Sequence, residues 1–169
     1  MTQVTGTPSA VDTDLLRTLL GRFATGVTVI TACGPDGMVG MTANSFCPVS
    51  LDPPLVLFCV AHRSQLRGAL SSATAFAVNI LGSGQRHLSD QFARRGRDRF
   101  GAARWRPGTT RSPVFVDAPA VLECVTERVI ELGDHDVVLG RVVALHPVRD
   151  EPPLVFYAGG YRTVCDTGT

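Results

Sequence analysis

The chain has 169 residues, of which 44% are hydrophobic and 18% charged, and its formal net charge is only +1. A chain of this length is enough for one globular domain, which buries roughly 70% of the surface exposed by the unfolded form. The near balance of 16 basic and 15 acidic residues argues against a surface built for nucleic acid or for membranes.

No basic start followed by an apolar block is visible at the N-terminus, so we expect no leader peptide and a cytoplasmic protein. We expect a loose N-terminal tail over residues 1–11, one domain over residues 12–163 and a short C-terminal tail over residues 164–169. A helix should begin at Asp12 or Thr13, because either side chain can cap it. One apolar stripe comes next, and Gly26 is placed to end the helix. The stripe consists of Leu15, Leu16, Leu19, Leu20 and Phe23.

Most of the remaining chain has the patterns of β-strands. Strands are predicted over 27–32 and 38–43, as a hairpin around Gly34-Pro35-Asp36-Gly37, and over 55–61, 75–81, 121–132, 137–145 and 154–157. Short helices are predicted from Ser64 and over 85–94, and an Arg- and Gly-rich loop over 94–112. The turn 133–136 joins the two longest strands. About seven antiparallel strands with two or three flanking helices favour a mainly β fold that closes into a barrel.

The most informative segment runs from the end of the second strand to the start of the third. The run Gly40–Phe46 opens into a loop of small, hydroxyl- and amide-bearing residues, and Ser50–Pro54 forms a stiff turn before an apolar strand. Small side chains let a ligand touch the main chain, so such a loop suits a flat, anionic molecule. Neither GxxxxGK[ST] nor a strand–GxGxxG–helix pattern occurs in the chain.

The usual catalytic constellations are missing from the sequence. HExxH and GxSxG do not occur, and the four histidines are scattered. The pairs Asp134/Asp136 and Asp150/Glu151 lie in predicted turns, where solvation is the ordinary explanation. Cys59 and Cys124 lie in apolar runs and are most simply small buried hydrophobes. Such a protein can still be an enzyme if a cofactor carries the chemistry.

Two basic segments allow two interpretations each. The arginines between residues 94 and 111 are interrupted by Asp98, so a solvated loop is favoured over a nucleic-acid patch, although one or two of them could meet a dinucleotide phosphate. Ser64 is a natural helix cap, and His62-Arg63-Ser64 is also a good phosphate site. The two interpretations of Ser64 are compatible.

Taken together, these elements resemble the short-chain flavin reductase family, whose members have a split-barrel, flavin-binding fold. They are typically the reductase components of two-component flavin monooxygenases. The resemblance runs from about Leu15 to Arg162. The segments that carry it are 22–29, 40–46, 49–54, 76–81, 92–93 with 98–100, 133–135, and Tyr157 with Gly160 and Tyr161. The sequence departs from the family at Arg63 and Leu66, where a lysine and a threonine are common.

The resemblance implies an NAD(P)H:flavin oxidoreductase with FMN or FAD as cofactor and NADH or NADPH as hydride donor. Hydride would pass from nicotinamide C4 to flavin N5 between stacked rings, and the reduced flavin would go to a partner monooxygenase. It also implies a homodimer with the flavin site near the subunit interface. From the charge balance and the lack of metal-ligand motifs we expect no nucleic-acid or membrane partner and no metal.

The resemblance further implies roles for individual residues. Flavin-binding residues would be Met41, Thr42, Ala43, Asn44, Ser45, Ser50, Leu51, Asp52, Cys59, Val60, Arg63, Ser64, Asn79, Leu81 and Phe100. His135 is the candidate catalytic residue. It would hold the nicotinamide together with Tyr157, Gly159, Gly160 and Tyr161.

Two alternatives remain open at the level of the sequence. One is an oxidase of the pyridoxamine-phosphate type that retains FMN, which lacks support from the turn around His135. The other is a non-catalytic split-barrel protein that carries flavin or haem.

Overall fold

The computed structural model describes residues 11–34, 37–94, 96, 99–101, 103–147 and 149–164. Three α-helices are present in this part of the chain: α1 (Thr13–Leu20), α2 (Arg67–Ser72) and α3 (Arg86–Ala93), and a 3₁₀ turn (Ser83–Gln85) precedes α3. The strands are β1 (Thr25–Gly26), β2 (Thr28–Gly34), β3 (Gly37–Ala43), β4 (Cys47–Leu51), β5 (Pro54–Ala61), β6 (Ala75–Ile80), β7 (Trp105–Pro107), β8 (Pro113–Phe115), β9 (Ala120–Leu132), β10 (His135–His146), β11 (Val155–Tyr157) and β12 (Gly160–Arg162).

The main sheet has seven antiparallel strands in the order β3-β2-β6-β9-β10-β5-β4. Its two edge strands, β3 and β4, are consecutive in the chain and are joined only by residues 44–46. A flat sheet would hold these edges about 29 Å apart, at ~4.8 Å per strand, which is more than so short a connection spans. The sheet must therefore curl until its edges approach. Among the described residues β3 and β4 do not pair, so the barrel is split.

The inside of the curled sheet forms the first hydrophobic core. Phe58 and Phe76 meet there edge to face, with ring centroids 5.1 Å apart. Gly140 faces this pair, and a Cβ at that position would lie 2.6 Å from Cε1 of Phe76. The core therefore needs a residue without a side chain on β10 at this point. Because side chains fill the interior, a ligand must bind at the edge of the barrel and not inside it.

A second core covers the outer face of β2, β3 and β6. Phe92 of α3 lies on Gly40, where a Cβ would come within 2.7 Å of its ring. Phe92 also packs against Phe100 and Phe115, with centroid distances of 5.1 and 5.4 Å. This contact fixes α3 beside the edge strand β3. The end of β3 and the end of α3 therefore lie side by side.

The structure confirms the predicted start of the first helix but not its predicted end. Asp12 caps it by accepting hydrogen bonds from the backbone N–H groups of Asp14 and Leu15. The helix ends at Leu20 with Gly21 as its cap, so Gly26 does not end it and lies in β1 instead. The apolar stripe is exposed, up to 77% at Phe23. No residue of α1 is buried in the single chain.

The predicted strands are all present, with boundaries shifted by one or two residues, and a mainly β antiparallel fold is confirmed. The hairpin of β2 and β3 is confirmed by the pairing of Gly34 with Gly37, whereas Pro35 and Asp36 of its turn lie outside the described residues, as do residues 1–10 and 165–169. The predicted helix start at Ser64 is wrong, because α2 begins at Arg67.

Five short strands were absent from the sequence prediction: β1, β4, β7, β8 and β12. The predicted loop 94–112 contains β7, which pairs with β8. Within the described ranges, none of the helices is both long and apolar enough to cross a membrane.

Candidate functional site

A cleft of about 420 Å³ opens where the two edges of the split barrel meet. The ends of β3 and β5 and the start of β10 form its floor, because His135 pairs with Ala61. The end of α3 and the segment between β5 and α2 form its sides. Its lining residues are Met41, Thr42, Ala43, Asn44, Ser45, Cys59, Ala61, Arg63, Ser64, Gln65, Leu66, Phe92, Ala93, Arg99 and His135.

Residues 41–45 contribute the floor through their backbone and short side chains. The Thr42 hydroxyl donates to the carbonyl of Ser89, 2.6 Å away, which ties β3 to α3. The Ser45 hydroxyl accepts from the N–H of Cys59 at 3.0 Å and so joins the two edges of the barrel. Asn44 is exposed, and its amide has no protein partner among the described residues. Because β3 is an edge strand, every second residue directs its N–H and C=O groups away from β2.

Cys59 is half-buried beside Ser45. Burial raises the pKa of its thiol, although the hydrogen bond with Ser45 works in the opposite direction. The thiol is therefore protonated at neutral pH and acts as a small apolar wall of the cleft. Cys124 is fully buried, as predicted, whereas Cys59 is only partly so.

One side of the cleft is the segment between β5 and α2. Ser64 donates its backbone N–H to the carbonyl of Ala61, and its hydroxyl accepts from the N–H of Leu66. This turn exposes the guanidinium of Arg63, which has no hydrogen-bond or ion-pair partner in the part of the chain described. The combination is a cation next to a hydroxyl and a turn, which is a favourable environment for a phosphate.

His135 lies at the start of β10, in the strand and not in the turn where the sequence placed it. Its Nδ1 lies 2.7 Å from the Oδ1 of Asp134, and 43% of its side chain is exposed. The hydrogen bond with His135 holds the pKa of Asp134 below its ordinary value. Asp134 therefore stays ionised and orients the imidazole at the rim of the cleft.

Asp136 was predicted to be a solvated turn residue, and this prediction is wrong. The residue is 3% exposed and accepts four hydrogen bonds, of 2.8 to 3.0 Å. The donors are Nε and Nη2 of Arg67, the Ser71 hydroxyl and His62 Nε2. The hydrogen bonds from Arg67, its largest contributors, hold the pKa of Asp136 far below its ordinary value.

This network lies directly behind the cleft. It links β10, which carries His135, to the segment that carries Arg63 and to α2. His62, Glu131 and Asp136 offer ligand atoms within 4.8 Å of one another. The guanidinium of Arg67 already fills that space with positive charge, since it bonds both carboxylates. The cluster is therefore an ion-pair network and not a cation site.

Several lining residues were not assigned by the sequence: Ala61, Gln65, Leu66, Phe92, Ala93 and Arg99. Arg99 appeared there as one member of a basic run and, together with Phe92 and Ala93, in the segments that carry the family resemblance, but without a role at the site. The Phe92 contact with Gly40 brings α3 and the segment after it to the cleft, which no local pattern could indicate. The segments 92–93 and 98–100, which the sequence analysis quoted for the family resemblance, were the one signal for this arrangement.

Other predicted site residues do not line the cleft. Ser50, Leu51 and Asp52 lie on β4 and its turn, and Leu51 is 95% exposed. Val60 and Leu81 are buried in the two cores. Asn79 is fully buried, donating to the Val29 carbonyl and accepting from the N–H of Phe115. The side chains of these three buried residues are committed to the fold, so a direct side-chain contact with a ligand is not available to them.

Phe156 and Tyr161 of the C-terminal hairpin line a smaller adjoining pocket of about 190 Å³, which shares Thr42, Asn44 and Ala93 with the cleft. The Tyr161 hydroxyl lies 2.8 Å from the Ser89 hydroxyl, and Arg86 lies over the Tyr161 ring at 5.0 Å. Tyr157 pairs with Gly160 in the β11–β12 hairpin and accepts from Arg22.

Four further predicted positions line neither pocket: Tyr157, Gly159, Gly160 and Phe100. Gly159 is at the tip of the β11–β12 hairpin, with a positive φ of 76°. Phe100 packs on Phe92 and Trp105 behind the cleft.

The molecule is thus a split β-barrel whose edges meet at a cleft of backbone groups, hydroxyls and two guanidinium groups, an arrangement that suits a planar, phosphate-bearing ligand. Comparison with known proteins identifies the family. The chain matches the Flavin reductase like domain over residues 20–164 and belongs to that family. The resemblance found in the sequence is therefore confirmed.

Individual relatives agree with the family assignment. A probable flavin reductase of Rhizobium meliloti (strain 1021) is 47% identical over 158 residues, which are 93% of this chain and 50% of that protein. The reductase subunit HsaB of a flavin-dependent monooxygenase of Rhodococcus jostii (strain RHA1) is 39% identical over 168 residues, 97% of this chain and 86% of that one. The chain thus spans half the length of the first relative and most of the second.

A solved structure shows the same fold. The NADH:FAD oxidoreductase SgcE6 of Streptomyces globisporus C-1027, in complex with NAD and FAD fragments, superposes with a TM-score of 0.88 at 37% identity. The alignment covers 94% of this chain and 96% of that one.

Proposed function

We propose that the protein is an NADH-dependent flavin oxidoreductase that reduces FMN or FAD and supplies the reduced flavin to a partner monooxygenase. The observation that carries this proposal is the cleft, which is lined together by residues 42–45, Arg63, Ser64 and His135. The cleft lies in the flavin reductase like domain, which spans residues 20–164. We take NADH rather than NADPH as the donor because the Streptomyces relative is named for NADH.

The residues of the cleft fit a flavin. Free backbone groups and the Asn44 amide can bond the polar edge and side chain of the cofactor, and Arg63 with Ser64 can bind its phosphate. When bound, the flavin supplies the redox chemistry, accepting a hydride from the nicotinamide. The protein binds and orients the two rings, and hydride transfer between stacked rings requires no acid–base pair of the protein.

The direct test is consumption of the reduced nicotinamide in air. Purified protein with catalytic amounts of FMN or FAD is expected to oxidise NADH well above the rate with free flavin alone. An absorbance spectrum of the protein as purified separates the alternatives, since an oxidase or a carrier retains its cofactor. NADH consumption no faster than the free-flavin background would exclude the reductase.

His135 tests the proposed nicotinamide site. His135→Ala removes the imidazole at the rim but leaves the floor and the phosphate environment in place. We expect the KM for NADH to rise by about tenfold and the KM for flavin to change far less, since one lost contact costs roughly 1.4 kcal/mol. Steady-state kinetics with each substrate varied give both values, and equal rises in the two KM values would contradict this role.

We further propose that the protein acts as a cytoplasmic homodimer with the cleft near the subunit interface. The exposed apolar stripe of α1 supports this proposal, because Leu19, Leu20 and Phe23 are 60 to 77% exposed. Leu145, on the outer side of β10, is 72% exposed as well. A second subunit that covers these side chains would remove them from water.

A further inference from the structure

Arg99 is held rigidly in the wall of the cleft. Its Nη1 donates to the carbonyl of Gly40 at 2.8 Å, and its Nε donates to the carbonyl of Gly96 at 3.2 Å. Nε and Nη1 lie on opposite edges of the guanidinium, so the two bonds fix its plane, and Nη2 has no protein acceptor among the described residues. The side chain is half-buried, so its orientation toward the cleft is fixed in advance of any ligand.

The charge of Arg99 is not neutralised by the part of the chain that the structure describes. Arg86 and Arg104, by contrast, face Asp90 and Asp117 at 3.6 and 3.1 Å. Burial lowers the pKa of Arg99 from its ordinary value, yet a guanidinium remains protonated in proteins. A fixed, unpaired and partly desolvated cation in a concave site is a binding site for an anion.

The cleft therefore contains two separate cationic positions. Arg63 and Ser64 lie on the segment between β5 and α2, whereas Arg99 lies beyond α3 and is anchored to the middle of β3. A mononucleotide flavin has one phosphate and uses one such position. A dinucleotide flavin has two linked phosphates and can use both.

We propose that Arg99 binds the second phosphate of FAD, so that the cleft selects the dinucleotide flavin over FMN. This inference rests on the proposed function, which leaves the choice of flavin open. The adenosine monophosphate half of FAD would then leave the cleft on the side of α3, next to Ala93. Arg99 is thus a specificity residue, and it takes no part in the redox step.

The experiment compares the binding of riboflavin, FMN and FAD, measured by calorimetry. Arg99→Gln is expected to weaken FAD binding by about 10- to 100-fold, the range for a charge-assisted hydrogen bond, and FMN binding by less than about threefold. Arg63→Gln should weaken FMN and FAD alike. Arg99→Lys, which keeps the charge without the fork, should restore part of the FAD affinity. Arg128→Gln, which changes an exposed arginine of β9 that does not line the cleft, is the matched control.

Several results would overturn the inference. The inference is wrong if Arg99→Gln loses the same factor of affinity for FMN as for FAD. It is also wrong if the affinity of this variant for FAD is unchanged. A simultaneous loss of riboflavin affinity would show that Arg99 only ties the segment to Gly40, and a change confined to the KM for NADH would assign it to the nicotinamide nucleotide. Because NADH oxidation by the unmodified protein tests the proposed function separately, either idea can fail while the other stands.

Discussion

Replacement of Glu123 by glutamine is expected to lower the free energy of unfolding at neutral pH by about 3 kcal/mol. Glu123 is fully buried on β9 and accepts from the N–H groups of Thr109 and Thr110, the Thr110 hydroxyl and His146 Nε2, at 2.7 to 2.9 Å. Burial by itself would raise the pKa of the carboxyl group, but the hydrogen bonds outweigh it and lower the pKa to about 2. An amide cannot accept all four bonds.

Because its pKa is lowered in the folded state, the contribution of Glu123 to the free energy of unfolding depends on pH. A carboxyl group that is more acidic in the folded state stabilises the fold above its ordinary pKa of 4.5 and loses that contribution as the pH falls toward 2. The difference in unfolding free energy between the native protein and Glu123→Gln should therefore be large at pH 7 and should shrink between about pH 5 and pH 2. Urea titrations across this range measure it directly.

Glu127→Gln is the matched control, because it is the same change on the same strand. Glu127 is 46% exposed and pairs with Arg141 at 3.3 Å, so its loss should cost less than about 1 kcal/mol. If Glu123→Gln and Glu127→Gln lowered the free energy of unfolding by similar amounts, the buried position of Glu123 would add nothing to the stability of the fold. If the difference in unfolding free energy between the native protein and Glu123→Gln did not depend on pH, the stabilisation could not be assigned to the charge of Glu123.

Sequence patterns correctly predicted those parts of the fold that depend on interactions between residues close in sequence. The Asp12 cap, the β2–β3 hairpin and the long strands β9 and β10 depend on residues close in sequence, and each was found. Strand β4 was missed because Pro48, Pro53 and Pro54 interrupt or flank it and because it is an exposed edge strand without alternation. Within the described part of the chain, strands β1 and β12 pair only with β11, and runs of two or three residues carry no periodicity.

The candidate site likewise contains residues that the sequence placed correctly and residues that it did not. Residues 41–45, 63–64 and 135 were all predicted and all line one cleft, since each belongs to a short motif at a strand end. Asn79, by contrast, was assigned to the ligand by the family resemblance, whereas its side chain is fully buried. A fully buried amide that bonds three groups across strands cannot be told from a ligand contact without the tertiary structure. Asp136 was misread for the same reason, because solvation of a turn is the default for an aspartate.

The second large effect is expected from Asp136, which connects the two sides of the cleft. Asp136→Asn keeps the shape of the side chain but removes its charge and turns one acceptor into a donor that faces Arg67. The segment that carries Arg63 and Ser64 then loses the charge-assisted side-chain bonds by which its flanking residues, His62 and Arg67, are tied to β10. We expect FMN binding to weaken by about tenfold or more, although Asp136 touches no ligand, because the phosphate site is no longer held in place.

The readouts separate a positioning role from simple destabilisation. Riboflavin has no phosphate, so its affinity should change much less than that of FMN if Asp136 acts through Arg63. Melting temperature should also fall, whereas Asp14→Asn, which removes an exposed pair with Arg17 on α1, should leave both affinity and melting temperature unchanged. The charge of Asp136 stabilises the fold above the ordinary aspartate pKa, so the difference in melting temperature should narrow in acid. Equal losses for riboflavin and FMN would mean that the network supports the whole barrel edge and not the phosphate site in particular.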